Sequence, residues 1–146
     1  MTRPKATLAP LATLMLTLGL AACASTIPPK DQWRRFPDAL AQTTTADIQV
    51  VRDSTTISLT NTTASPLAPS ILWLNRRFAR PIPRFDVGQS LTIELDSFVD
   101  ENGERFRAGG FFASEAPEKL VQAQLELPPS ESSRQPQLVG LVVIAE

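Results

Sequence analysis

The residue types that most enzymes use for proton transfer and nucleophilic attack are scarce in this chain of 146 residues. The sequence contains no histidine, no tyrosine and a single cysteine, Cys23. Pairs of serine or cysteine with histidine are therefore excluded, and so is a zinc site built from histidine and cysteine. The groups that remain for catalysis are the 15 acidic side chains, which glycosidases use in pairs and which calcium sites use as ligands.

Acidic and amide side chains are concentrated in one short stretch of the sequence. They are Asp96, Asp100, Glu101, Asn102 and Glu104. An EF-hand calcium loop needs glycine at its sixth position, and counting from Asp100 places Arg105 there. Asn102-Gly103 is instead a strong signal for a tight hairpin turn. We therefore predict a structural turn, with no metal and no other cofactor, and rank a carboxylate-based hydrolase third among the functions considered.

Four arginines with interspersed prolines follow one another between residues 76 and 84. They are Arg76, Arg77, Arg80 and Arg84. Guanidinium groups bind phosphate and carboxylate in bidentate fashion, so one interpretation is a binding edge for an anion or a partner. The other is that the charges and prolines keep an exposed edge strand from pairing with another molecule. We favour protection of the edge and keep anion binding as the alternative.

Residues 1–22 have the composition of an export signal. Arg3 and Lys5 precede a run, residues 6–22, that is almost wholly apolar or small. A membrane-spanning helix needs about 20 apolar residues. This run is shorter, contains Pro10, and ends in small residues without a charged stop. We therefore predict a signal peptide that is cleaved.

The end of this run resembles the lipobox of bacterial lipoproteins. Leu20, Ala21 and Ala22 precede Cys23, as a leucine and two small residues precede the obligatory cysteine of that motif. The resemblance implies that Cys23 receives a diacylglycerol thioether, that the bond before it is cut, and that the new amino terminus is acylated. Two or three acyl chains are enough for stable membrane attachment. An ordinary secretory signal with an incidental cysteine is the alternative.

This resemblance also predicts where the protein resides. Ala24 stands where the sorting rules of bacterial lipoproteins place aspartate for retention at the inner membrane. In a two-membrane bacterium, alanine at this position implies sorting to the outer membrane, where the protein would face the periplasm. The partners expected there are lipid headgroups, lipopolysaccharide phosphates, peptidoglycan carboxylates and envelope proteins. We predict no nucleic-acid partner, because the chain is exported and its net charge is −1.

Residues 23–45 are predicted to be the lipidated cysteine and a flexible tether, with one domain over residues 46–146. Trp33, Phe36 and Leu40 recur in the tether at helix-like spacing. They favour either a short amphipathic turn on lipid headgroups or a strap packed on the domain, and we expect the strap.

From residue 46 the pattern of apolar residues predicts β-strands. Apolar residues alternate at period two in residues 56–60 and 91–95, whereas residues 70–75 form a continuous apolar run that suits a central strand and residues 138–145 a nearly all-apolar last strand. Trp73 is a candidate core residue, and a hairpin is expected over residues 98–106. Residues 118–127 combine helix-forming composition with period-two alternation, and we predict a strand there. Gly109-Gly110 precedes Phe111-Phe112, and we expect a bulge that lets both rings enter the core. The alternative is that one of the two rings is exposed and binds a partner.

About seven short strands without a long helix predict an all-β domain, a single antiparallel β-sandwich. The sequence of strand, Asn-Thr, proline and strand over residues 59–73 resembles immunoglobulin-like and fibronectin-like modules of bacterial surface proteins, without their Cys-Trp-Cys signature. Residues 74–89 and 100–112 also resemble small bacterial lipoproteins, a resemblance that implies no particular activity. The predicted function is a lipid-anchored, non-catalytic envelope protein with a structural or accessory role. The alternative is a binding module for anionic envelope polymers or headgroups.

Overall fold

A computed structural model of the chain describes residues 28–131 and 133–144. Within these residues the regular structure consists of seven strands and two single-turn 3-10 helices. The helices are Lys30–Gln32 and Leu95–Ser97. The strands are β1 (Gln42–Asp53), β2 (Thr56–Thr60), β3 (Ser70–Leu74), β4 (Phe78–Ile82), β5 (Ser90–Glu94), β6 (Ala123–Leu127) and β7 (Gln137–Ile144). The prediction of an all-β domain is therefore confirmed for the described residues.

All seven strands belong to one sheet, in the order β4-β3-β6-β7-β1-β2-β5. Neighbouring strands are antiparallel except β1 and β7, which are parallel. An antiparallel sandwich is therefore not confirmed, because this prediction did not include a parallel pair. The two strands that form it come from opposite ends of the chain, so no short crossover connection is required between them.

The sheet curls, because strands from its two halves contribute to one core. Ile57 of β2 and Ile93 of β5 are paired across the strands. Both lie in the same buried cluster as Leu72 of β3 and Leu125 of β6, although β7 and β1 separate β6 from β2 in the sheet order. In β2 and β5 the period-two alternation supplies the apolar face that the curl buries.

The predicted strand over residues 118–127 is only half present. Strand β6 begins at Ala123, and residues 118–122 are outside the regular strands. Val121 is 71% exposed, so the alternation of apolar and polar residues there does not reflect a buried face. The predicted hairpin over residues 98–106 forms without regular strands. Val99 and Arg105 make an antiparallel bridge, and on its two sides Phe106 N–H donates to the Phe98 carbonyl over 3.0 Å and Asp100 N–H to the Glu104 carbonyl over 2.9 Å.

Residues 28–41, which we call the strap, pack on the face of the sheet that points away from the main core. Trp73 and Ala79 are cross-strand partners on β3 and β4, and they form a second buried cluster with Phe36 and Leu138. The rings of Phe36 and Trp73 meet edge to face, with 5.2 Å between their centroids. Trp73 is buried, as predicted, but beneath the strap and outside the main core. Strand β1 begins four residues before the predicted domain start at residue 46.

The strand directions give the sheet two distinct ends. Strands β1, β3, β5 and β7 finish at the end where β2, β4 and β6 begin, given the observed pairings. This end has the connections formed by residues 54–55, 75–77 and 95–122, and we call it the 95–122 end. The opposite end has residues 61–69, 83–89 and 128–136.

Candidate functional site

The first two predicted arginines lie in the turn between β3 and β4, at the 95–122 end. Asn75 and Arg76 both have positive φ, at 53° and 55°, and Arg77 N–H donates to the Leu74 carbonyl over 3.0 Å. Positive φ at both central positions is the mirror-image turn that suits the twist of a hairpin. Asparagine tolerates this conformation, so Asn75 was a signal that the sequence offered and that we did not use.

The side chain of Asn75 ties this turn to the segment before β6. Its Oδ1 accepts hydrogen bonds from the N–H groups of Val121 and Gln122, over 2.9 and 3.3 Å. Its Nδ2 donates to the Lys119 carbonyl over 2.7 Å. Three hydrogen bonds therefore join the turn to residues 119–122.

Arg77 is committed to the neighbouring acidic turn. Its Nε and Nη2 donate to Oδ2 of Asp100 over 3.0 and 2.8 Å, and Nη2 also reaches Glu104. The Asp100 side chain is only 3% exposed, and its Oδ1 accepts from the N–H groups of Asn102 and Glu104, each over 2.9 Å. The hydrogen bond to Asp100 raises the pKa of the Arg77 guanidinium, so this arginine stays charged.

Asp100 is ionised for the same reason. Burial on its own raises the pKa of this carboxyl, but the hydrogen bonds from Arg77 and from the two backbone N–H groups outweigh burial and hold the pKa below its ordinary value. The hydrogen bonds that the Asp100 carboxylate accepts therefore stabilise the turn. In the part of the chain that the structure describes, no group of three or more histidine, cysteine or acidic side chains is placed to hold a metal ion.

The other three arginines also have local partners. Nη2 of Arg76 lies 3.0 Å from Oδ1 of Asp38. The guanidinium carbon of Arg76 is 4.9 Å from the centroid of the Phe36 ring. Arg80 donates to the Ser97 hydroxyl, and burial lowers its pKa from the ordinary value. The structure thus assigns Arg76 and Arg80 to contacts with the strap and with the segment after β5.

Arg84 is separated from the arginines of the turn. Arg84 follows β4 at the opposite end of the sheet, and its Nε lies 2.7 Å from Oδ1 of Asp86. The structure brings Arg76 and Arg77 together but does not unite the four arginines in one basic surface. The edge of β4 is partly covered, because the backbones of Ala79 and Val99 exchange hydrogen bonds of 2.8 and 3.2 Å.

The predicted lipidation motif, Leu20, Ala21, Ala22 and Cys23, lies outside the described residues. The first described residue, Pro28, follows Cys23 by five positions. In residues 28–131 and 133–144, no helix is long and apolar enough to cross a membrane.

Among the large apolar residues of the described chain, Phe111 and Phe112 are the most exposed, at 95% and 94%. They occupy the two central positions of a turn in which Ala113 N–H donates to the Gly110 carbonyl over 3.1 Å. Their rings are almost perpendicular, with 5.0 Å between centroids. The expectation that both rings enter the core is wrong, because a tight turn and not a strand bulge forms at this point and directs both rings outward.

The base of this loop is fixed by Arg52, on β1. Its Nη1 donates to the Glu118 carbonyl over 2.6 Å and its Nη2 to the Ala108 carbonyl over 2.7 Å. Glu118 N–H also donates to the Arg107 carbonyl over 2.8 Å. The loop is therefore closed at residues 107–118, with the two phenylalanines at its tip. A cleft of about 700 Å³ lies beside this closure, between the loop and Arg52. Sequence reasoning did not identify Arg52.

Exposed apolar side chains are concentrated at the 95–122 end. Of the seven large ones among the described residues, Phe111, Phe112 and Val121 are in connections of this end and Val87 is in a connection of the opposite end. The other three are Val51, Val142 and Ile144. The three that belong to strands are in the last three residues of β1 or β7. The asymmetry makes the 95–122 end the candidate functional surface.

No protein-family model matches the chain, and no match to it was found among curated proteins or among solved structures.

Proposed function

We propose that the protein is a lipid-anchored, non-catalytic component of the bacterial cell envelope with a structural or accessory role. Cleavage before Cys23 would leave this cysteine as the acylated amino terminus, and Ala24 would direct the protein to the outer membrane of a two-membrane bacterium. The lipobox-like order of Leu20, Ala21, Ala22 and Cys23 supports the anchor.

The observation that supports this function best is how early the packed part of the chain begins. Pro28 O accepts a hydrogen bond of 3.2 Å from Nε1 of Trp33, and the strap continues from there onto the sheet. A chain extends by at most about 3.6 Å per residue, so the five positions from Cys23 to Pro28 span no more than about 18 Å. An acylated Cys23 would hold the domain close to the bilayer surface.

The alternative function, binding of anionic envelope polymers or headgroups through Arg76, Arg77, Arg80 and Arg84, has less support. Each of these side chains has a carboxylate or hydroxyl partner within the protein. An anion would have to compete with those partners for the guanidinium groups. The carboxylate-based hydrolase ranks third, because the buried carboxylate of Asp100 is already bonded to Arg77.

We also propose that the curled sheet is an immunoglobulin-like sandwich. Its halves would be β5-β2-β1 and β7-β6-β3-β4, joined where β1 pairs with β7. The shared core of Ile57, Ile93, Leu72 and Leu125 supports this description, since facing sheets bury side chains between them.

The anchor is tested by Cys23→Ser in the full chain, expressed in a bacterial host supplied with a labelled fatty acid. We expect the variant to lose the label and to leave the detergent phase on phase separation. Ser25→Ala is the matched control and should keep both properties. Label on the Cys23→Ser variant would contradict the anchor.

Crosslinking in intact envelopes, followed by identification of the adducts, tests the accessory role against its alternative. Protein adducts are expected. Salt-sensitive binding to lipopolysaccharide or peptidoglycan fragments that is lost in the doubly substituted Arg76→Ser, Arg84→Ser variant would favour the alternative instead.

A further inference from the structure

We propose that the 95–122 end is the membrane-facing end of the protein and that Phe111 and Phe112 insert into the bilayer interface beside the lipid anchor. The inference rests on the proposed anchoring at Cys23 and adds to it an orientation and a second, non-covalent contact with lipid.

The geometry of the loop tip is the first reason. Two adjacent phenylalanines are almost fully exposed, and their edge-to-face contact with each other leaves most of both rings in water. Exposed apolar groups of this size in a soluble domain mark a surface that is covered in function. Phenylalanines at the tip of a loop suit the boundary between headgroups and acyl chains.

The fixed base of the loop is the second reason. Arg52 holds the carbonyls of Ala108 and Glu118, and the ring of Pro117 lies against Gly109, where an added Cβ would come within 2.9 Å of it. A loop that is closed at its base presents the tip in a defined direction. Less conformational freedom is then lost when the tip inserts.

The position of the chain start is the third reason. Trp33 packs on Gly103, in the turn that Arg77 binds through Asp100, and Trp33 also donates to the Pro28 carbonyl. The first described residue is thus next to a turn that belongs to the 95–122 end. Pro28 therefore lies at the same end as the phenylalanines, and an anchor at Cys23, five positions earlier, would bring this end to the lipid.

The charges near the loop favour an apolar contact over an electrostatic one. Arg107 lies 3.3 Å from Glu115 across the loop, and Lys119 follows Glu118 directly. Charges of both signs therefore flank the tip. We expect the contact to depend little on salt and on the share of anionic lipid, unlike a basic patch on headgroups.

The experiment uses the full-length, processed protein in vesicles of phosphatidylethanolamine and phosphatidylglycerol. If the thiol of Cys23 is in a thioether, a cysteine introduced by Phe112→Cys is the single free thiol of the chain and accepts an environment-sensitive fluorophore. Val87→Cys, at an exposed apolar position of the opposite end, is the matched control. Lipids with a spin label near the headgroup quench a fluorophore that enters the interface.

We expect the label at position 112 to be quenched several-fold more strongly than the label at 87, at low and at high salt. Insertion by about 5–10 Å also predicts stronger quenching by shallow than by deep spin labels. Flotation of the vesicles with the protein, together with equal quenching at the two positions, would overturn the inference and leave the anchor intact. Failure to float would overturn the anchor and with it the inference.

A protein that covers the phenylalanines in place of lipid gives a different result. The label at position 112 would then be shielded from aqueous iodide in native envelopes, and lipid spin labels would not quench it in protein-free vesicles. That outcome would also overturn the inference.

Discussion

The ring of Trp33 lies so close to Gly103 that a Cβ atom at position 103 would be 2.4 Å from its Cζ2 atom. Gly103 also has a φ of 81°, a backbone conformation that L-residues with a side chain adopt only at a cost. The contact joins the strap to the turn that Asp100 and Arg77 hold, so one glycine serves both the turn and the packing of the segment that follows the predicted anchor.

Gly103→Ala is therefore expected to destabilise the fold by two effects. The positive φ costs about 1–2 kcal/mol, and the overlap with Trp33 adds about 1–3 kcal/mol. Gly88→Ala is the matched control, because Gly88 has a similar φ of 72° and nothing within 4 Å of an added Cβ. Urea unfolding of both variants measures the difference. Equal losses of stability would contradict the packing of Trp33 on Gly103.

Trp73, on β3, joins the sheet to the strap through its contact with Phe36. Trp73→Ala should lower the free energy of unfolding by about 3–5 kcal/mol, the usual cost of removing a buried aromatic ring, because the change opens a cavity under Phe36. Trp73→Phe should lose less stability because it keeps an aromatic ring at this position, although it loses the 2.9 Å hydrogen bond to Glu126. A loss below about 0.5 kcal/mol for Trp73→Ala, the range of an ordinary surface substitution, would contradict burial beneath the strap.

Asp100→Asn tests the buried ion pair through its pH dependence. The folded-state pKa of Asp100 is lowered, so its carboxylate stabilises the fold fully above its unfolded-state pKa of about 3.9. This contribution is lost as the pH falls through the lower folded-state value. We expect the unfolding free energy of the wild type to decrease in acid more steeply than that of the variant.

At neutral pH the same variant should be less stable by about 1.5–3 kcal/mol, the range for hydrogen bonds to charged groups. Asparagine keeps an acceptor for the two backbone N–H groups but presents an amide NH₂ to Arg77. Asp38→Asn is the control, since Asp38 is 67% exposed and exposed pairs contribute at most about 1 kcal/mol. Identical acid profiles for Asp100→Asn and the wild type would show that Asp100 is not the ionised partner of Arg77.

Local periodicity predicted those strands whose faces differ in exposure. Ile57 and Leu59 alternate with half-exposed residues along β2, and this pattern is visible in the sequence. The alternation around Val121 is indistinguishable from it in the sequence, but no strand partner is present there. Periodicity reports the spacing of apolar residues, whereas a strand also needs a hydrogen-bonded neighbour.

The relationships that define the candidate surface are long-range and could not be predicted from spacing. Arg77 and Asp100 are 23 positions apart, and Arg52 reaches the carbonyl of Glu118 across 66 positions. The parallel pairing of β1 with β7 joins the two ends of the described chain. The outward direction of Phe111 and Phe112 depends on a tight turn at the tip of a loop whose base Arg52 closes.

Arg52→Ala should release the base of the phenylalanine loop. The variant loses hydrogen bonds from a charged donor to two carbonyls that are 10 residues apart in the sequence, so the segment between them gains conformational freedom. A protease needs a flexible segment in its active site, and chymotrypsin cleaves after phenylalanine. We expect faster chymotryptic cleavage after Phe111 or Phe112, measured by mass spectrometry under native conditions. Arg84→Ala is the control, because the acidic partner of Arg84 is only two residues away. This variant should be cleaved at the wild-type rate. Equal rates for the wild type and both variants would show that Arg52 does not hold the loop.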